Sequence, residues 1–103
     1  MNNIKTFENF NSQDIFTYIE NNDIQSVENY INSGYDLDKQ NIRGDTALIQ
    51  VVINDKIEIV KLLLNAGADV NKQNYIGDTA LIYAAYYNNV EIVKLLLDAG
   101  ADI

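Results

Sequence analysis

The aspartates are the side chains in this chain that could do acid–base chemistry, and they form three candidate sets: Asp36 with Asp38, Asp45 with Asp55, and Asp78 with Asp98. Two carboxylates held about 5 to 10 Å apart in a cleft can act as acid and base in hydrolysis. However, several aspartates recur every 33 residues, namely Asp36, Asp69 and Asp102, and also Asp45 and Asp78. A residue that recurs with a repeating unit is most simply a turn or helix-cap acceptor, so we predict structural roles for these carboxylates.

The rest of the composition excludes most other catalytic and metal chemistry. The chain has no cysteine and no histidine, which removes disulfides, thiolate catalysis, the usual general base and the usual zinc ligands. It contains neither a glycine-rich phosphate loop nor a calcium loop of the EF-hand type. We therefore predict a protein that is not an enzyme and that has no cofactor, no metal site and no catalytic residue.

Charge and hydropathy limit the class of partner. The net charge of −8 disfavours nucleic acid and anionic membranes, because both bind clustered Lys and Arg. A protein partner with a basic or neutral patch is expected instead. The N-terminal segment lacks the apolar stretch of a secretory signal, and no apolar run approaches the length of a membrane span. The expected location is the cytoplasm.

The chain contains an internal repeat. Residues 41–70 are written again as residues 74–103, and of the 30 paired positions 18 are identical, in the blocks N..GDTALI, EIVKLLL and AGAD. A period of 33 residues indicates stacked units, none of which can bury its apolar face alone. We predict one domain over 1–103, with an N-terminal capping repeat at 8–40, a full repeat at 41–73 and a full or truncated repeat at 74–103.

Each full unit has the pattern of two helices preceded by a tight turn. In the second unit Gly44 is expected to take a positive φ in that turn, and either Asp45 or Thr46 to cap the first helix. The first helix is predicted at roughly 46–54 and the second at roughly 56–66, with apolar residues at helical spacing. The second helix is apolar around much of its circumference, as expected for a unit with a neighbour on both sides.

The first unit has a weaker form of the same pattern. Ser12 and Asp23 are predicted to cap its two helices. Polar residues in its second helix replace apolar ones of the next unit, which gives a terminal repeat the polar face that it needs. Residues 1–11 form either one amphipathic helical turn that packs on this repeat or a frayed tail.

The sequence G-D-T-A-L-I, followed by a helix ending E-I-V-K-L-L-L and by A-G-A-D-V-N, resembles the ankyrin repeat, a unit of about 33 residues with a turn and two helices. The resemblance implies an all-α ankyrin-repeat solenoid of helix-turn-helix units with short finger turns. The chain departs from the family signature Thr-Pro-Leu-His, since it has Thr-Ala-Leu-Ile at 46–49 and 79–82. It thereby gives up a pre-organised proline at the start of each first helix. Ile49 and Ile82 cannot make the hydrogen bond of the histidine and are expected to be buried instead.

The resemblance also implies a binding surface, because ankyrin partners contact the concave side formed by the finger tips and the inner face of each first helix. The matching positions in the second unit are Gln40, Ile42, Arg43, Asp45, Ile53 and Asn54. In the third unit they are Gln73, Tyr75, Ile76, Asp78, Tyr86 and Tyr87. The two units agree at most structural positions and differ at nearly all of these, which indicates positions free of packing constraint.

Three tyrosines of the third unit share one helix face, because Tyr83, Tyr86 and Tyr87 have i, i+3, i+4 spacing. Tyrosine is frequent in binding hot spots. Tyr83 is expected to pack against neighbouring helices, whereas Tyr86 and Tyr87 are expected to contact a partner together with Tyr75. Three charged side chains are expected to set its orientation: Arg43, Asp45 and Asp78. The apolar tips either join this contact or pack against adjacent fingers: Ile42, Tyr75 and Ile76.

No polar capping repeat follows the third unit, so its outward face should present Ile and Leu to solvent. Three explanations stay open: a fragment of a longer array, an end face that pairs with another chain, or an exposed face that is tolerated. We predict a non-catalytic protein–protein interaction module, monomeric, that binds a partner through its concave face. The alternative is a self-associating or architectural segment that uses the uncapped C-terminal repeat face.

Overall fold

Six helices and no strand form in residues 14–103, the part of the chain that the computed structural model describes. The helices, in chain order α1 to α6, are Ile15–Glu20, Ile24–Asn32, Ala47–Ile53, Ile57–Asn65, Ala80–Tyr86 and Val90–Asp98. The predicted N-terminal turn or tail at 1–11 and the predicted cap Ser12 lie outside the described residues. The helix boundaries in the second unit agree with the predicted ones to within one residue at each end.

The helices of the first unit begin at aspartate caps. Asp14 takes an extended backbone conformation, and its Oδ1 accepts a hydrogen bond from the Phe16 N–H at 2.9 Å. Asp14, rather than Ser12, is therefore the N-cap of α1. Asp23 caps α2, as predicted, by accepting from the Ser26 N–H at 3.1 Å.

In the later units Thr46 and Thr79 cap the first helices, and Asn89 caps α6. The choice between Asp45 and Thr46 is thus settled in favour of Thr46, whose hydroxyl accepts from the Ile49 N–H at 3.2 Å. Lys56 occupies the equivalent place before α4 and makes no side-chain cap hydrogen bond. The ammonium group of lysine has no acceptor, so it cannot satisfy a free helix N–H.

The two helices of each unit pair with one another, and the units stack in two layers. One layer contains α1, α3 and α5 in succession, and the other contains α2, α4 and α6. The stack of described residues extends 50 Å by 26 Å by 21 Å. This architecture confirms the predicted all-α repeat fold.

The core runs along the stack between the two layers. Its largest fully buried side chains come from all three units: Ile15, Ile19, Leu48, Ile49, Ile59, Leu63, Ile92 and Leu96. The expected burial of Ile49 is confirmed, because only 1% of it is exposed. The expected burial of Ile82 is wrong, because 47% of it is exposed. The third unit covers Ile49, whereas no described residue covers the same position of the third unit.

The turn inside each unit contains one residue in the left-handed conformation. These residues are Asn22, Asp55 and Asn88, with φ of 54°, 59° and 61°. Asn and Asp tolerate this conformation better than other residues with a side chain. Their recurrence every 33 residues is a sequence signal for the turn that joins the helices of one unit.

Candidate functional site

The finger turns are built by one asparagine in each full unit. Asn41 Oδ1 accepts hydrogen bonds from the N–H groups of Arg43 and Asp45 at 2.9 and 3.0 Å. Asn74 Oδ1 accepts in the same way from Ile76 and Asp78 at 3.1 and 2.9 Å. The asparagine therefore fixes the finger from inside, and the side chains at its tip are directed by the backbone.

Adjacent fingers are joined to each other. Gln40 Nε2 donates to the Gly44 carbonyl at 2.8 Å and to the Gln73 carbonyl at 2.9 Å. The Tyr75 N–H donates to the Arg43 carbonyl at 3.2 Å. Gly44 takes φ +83°, and a Cβ on it would lie 2.6 Å from the Tyr75 backbone nitrogen and ring. The second finger thus holds Tyr75 against a position where only glycine fits.

The structure places Asp45 inside the junction between the second and third units, since only 2% of it is exposed. Its Oδ1 accepts from Asn74 Nδ2 at 2.9 Å, and its Oδ2 accepts from Gln50 Nε2 at 3.0 Å. A carboxylate with both oxygens occupied inside the protein cannot contact a partner directly. Gln40 is also half-buried between the fingers, so Gln40 and Asp45 position the surface rather than form it.

The finger tips form an exposed surface with a large apolar component. We call the side chains of Ile42, Arg43, Tyr75 and Ile76 the finger surface; all four are exposed. The alternative in which the apolar tips pack against adjacent fingers holds only for one side of the Tyr75 ring, which lies on Gly44. Tyr75 itself is 70% exposed.

The bases of the fingers hold the two other predicted residues of this region. Gln73 is exposed, and its Nε2 donates to the Gly77 carbonyl at 3.0 Å. Asp78 is half-buried at the start of α5.

A second group of predicted residues lies at the carboxyl ends of α3 and α5. We call Ile53, Asn54, Tyr86 and Tyr87 the helix-end cluster. Tyr86 is 78% exposed and Tyr87 is 53% exposed. Their rings meet edge to face with centroids 5.0 Å apart, an arrangement that stabilises aromatic pairs. Ile53 lies with Tyr87 in one groove, so the two units meet in this cluster.

Tyr83 does not share the exposure of the other two tyrosines. It is half-buried and packs against the core, which confirms the expectation that it has a packing role. Its hydroxyl accepts a hydrogen bond from Asn74 Nδ2 at 3.0 Å. Burial raises the pKa of this hydroxyl; the hydrogen bond with Asn74 opposes the rise, and the Asp78 carboxylate adds to it.

Asn74 is the structural residue that sequence reasoning missed. Its side chain makes four hydrogen bonds: two to its own finger, one to Asp45 and one to Tyr83. It is also one of three buried polar side chains among the described residues. The signal for it was the asparagine that opens both copies of N..GDTALI, at Asn41 and Asn74.

The aspartates with a 33-residue recurrence act as turn acceptors, as predicted. Asp36 Oδ1 accepts from the Asp38 N–H at 2.8 Å, and Asp69 Oδ1 accepts from the Asn71 N–H at 2.9 Å. Asp38 and Asn71 in turn each accept from a backbone N–H of the following unit. Within residues 14–103, acidic side chains form no group that could hold a metal ion. The described helices are six to nine residues long, and none of them could cross a membrane.

Comparison with known proteins agrees with this geometry. A comparison with curated proteins gave no match. A family model for ankyrin repeats, in three copies, matches residues 15–103, which contain all six helices and both fingers. Since the match extends over most of the chain, the protein belongs to the ankyrin repeat family.

Proposed function

We propose that this protein is a non-catalytic binding module that holds a protein partner in the cytoplasm through the finger surface and the helix-end cluster. Ankyrin repeats are generally protein–protein interaction modules, and the family is typically non-catalytic. The observation that carries the proposal is the exposure of Tyr75, Tyr86 and Tyr87 on a rigid frame. A rigid, exposed aromatic side chain offers a large contact area at a low entropic cost.

The composition of the surface supports a partner with a basic or neutral patch. The net charge of −8 favours encounter with positive surfaces, and the effect weakens as salt is added. Arg43 and Asp78 are available to orient the partner, because Arg43 is exposed and Asp78 is half-buried. Asp45 contributes by fixing the junction beneath the second and third fingers.

A double substitution tests the proposal. Tyr86→Ala with Tyr87→Ala should weaken binding to a partner obtained by pull-down by about tenfold or more, the effect of removing hot-spot residues. Lys61→Ala is the matched control, because Lys61 is exposed on α4 in the other layer. Unchanged affinity of the double variant, or an equal loss in Lys61→Ala, would remove this surface as the binding site.

A second candidate function rests on the outward face of the third unit. Ile82 is 47% exposed, whereas its counterpart Ile49 is almost fully buried under the next unit. Leu97 and Val90 are also exposed. This face supports self-association or an architectural role. Sedimentation at several concentrations tests it: association that Ile82→Gln abolishes supports the candidate, and a folded strict monomer eliminates it.

A further inference from the structure

An open groove of about 440 Å³ lies between the turn that follows α3 and the turn that follows α5. Ile53 and Asp55 line it from the second unit, and Tyr87, Asn89 and Val90 line it from the third. The groove contains two members of the helix-end cluster. A contact in it therefore deepens the proposed binding function and depends on that function.

The groove contains a fixed carboxylate. Asp55 has φ +59°, and its Oδ1 accepts a hydrogen bond from Asn89 Nδ2 at 2.6 Å. No donor in residues 14–103 contacts Oδ2, and the residue is exposed. The carboxylate is thus held by its neighbour unit and keeps one oxygen free for a ligand.

The remaining lining suits an aliphatic stem and a planar cation. Ile53 and Val90 offer apolar surface, and the ring of Tyr87 is half-exposed next to them. The rings of Tyr87 and Tyr86 are in edge-to-face contact, which restricts the position of Tyr87. No lysine or arginine is among the described residues that line the groove. The positive group that the carboxylate favours must therefore come from the ligand.

We propose that this groove accepts an arginine side chain of the protein partner. The guanidinium would donate to Asp55 Oδ2 and stack on the Tyr87 ring, while its methylene groups cover Ile53 and Val90. Arginine fits better than lysine because its planar group both donates hydrogen bonds and stacks on an aromatic face. Charge complementarity supports the same ligand, given the net charge of −8.

The test is an NMR titration of the full chain with N-acetyl-argininamide, with the citrulline analogue as the neutral control of similar shape. Arginine is expected to shift the amides of 53–55 and 87–90, and citrulline to shift them far less. Asp55→Asn should weaken arginine binding roughly two- to fivefold, the effect of one exposed ion pair. This variant keeps the Oδ1 acceptor, and asparagine already occupies the equivalent left-handed positions Asn22 and Asn88.

Asp98→Asn is the matched control, because it removes the same charge at an exposed site on α6 and should leave arginine binding unchanged. Equal binding of citrulline, unchanged binding in Asp55→Asn, or an equal loss in Asp98→Asn would overturn the proposal. A partner whose binding depends on Tyr86 and Tyr87 but not on Asp55 would also overturn it, while leaving the proposed binding function intact. A lysine analogue that binds more tightly than arginine would overturn the choice of arginine.

Discussion

Asn74 donates a hydrogen bond to Asp45 across the junction between the second and third units, at 2.9 Å and away from solvent. Asn74→Ala leaves the buried carboxylate without one of its donors, so the free energy of unfolding should fall by about 2 kcal/mol. Gln73→Ala, at the exposed neighbouring position, should cost less than about 1 kcal/mol. Urea unfolding of both variants measures the difference, and equal losses would show that the junction hydrogen bonds contribute nothing special.

Gly44 and Gly77 form a natural pair for testing the contact between the fingers. Both have a positive φ, but only Gly44 has a neighbour within reach of an added Cβ, namely Tyr75. Gly77→Ala should cost about 1 kcal/mol of stability from backbone conformation alone. Gly44→Ala should cost more than about 2 kcal/mol, since Tyr75 must also move and its hydrogen bond to Arg43 must lengthen. Thermal and urea unfolding of the two variants would contradict this if the costs were equal.

Much of this fold is predictable from the sequence because the determinants are local. The 33-residue repeat fixes the number of units, and apolar spacing together with the threonine caps locates the helices. The positive φ of Gly44 follows from its place in a tight turn. For the same reason, the exposure of Tyr86 and Tyr87 at a helix end could be foreseen from their variation between otherwise matching units.

Other features depend on contacts between units and could not be read from one unit. The burial of Asp45 requires Asn74, which lies 29 residues further along the chain. The exposure of Ile82 differs from the burial of Ile49 because a following unit covers only Ile49 among the described residues. In each case identical residues in two repeats have different surroundings, so their sequence context carries no signal of the difference.

Lys56 is the weak cap in the array. Its backbone angles, φ −95° and ψ 76°, are close to those of Asn89, φ −88° and ψ 88°, whose side chain caps α6. Lys56→Asn should therefore stabilise the protein by about 1 kcal/mol, because a free helix N–H gains an acceptor and a positive charge leaves the helix N-terminus. The reverse change, Asn89→Lys, should destabilise it. A rise in the urea midpoint for the first variant and a fall for the second would support this, and no change in either would contradict it.

Tyr30 gives stability a dependence on alkaline pH. Burial, and then the negative charge of Asp36, raise the pKa of its hydroxyl above the ordinary value of 10.0. Because the folded pKa is the higher one, this contribution to stability is complete below about pH 10 and is lost as pH rises through the folded value. The neutral hydroxyl donates to the Asp36 carbonyl at 2.9 Å in the folded protein.

Unfolding measured between about pH 8 and pH 11 checks this expectation. The loss of stability above about pH 10 should be shallower in Tyr30→Phe than in the wild-type protein. Tyr35→Phe, at an exposed ring that contacts Tyr30, serves as the control and should keep the wild-type slope. An identical slope in Tyr30→Phe and wild type would rule out Tyr30 as the source.

The location of the binding surface can be measured directly by hydrogen exchange of the free protein and of its complex with a partner. Bound partner should slow exchange at the fingers, residues 40–45 and 73–78, and at the helix ends around Tyr86 and Tyr87. Exchange on the opposite layer, in α4 and α6, should stay the same. Slowed exchange confined to α4 and α6, or to the end face around Ile82, with the fingers unchanged, would contradict binding through the finger surface and the helix-end cluster.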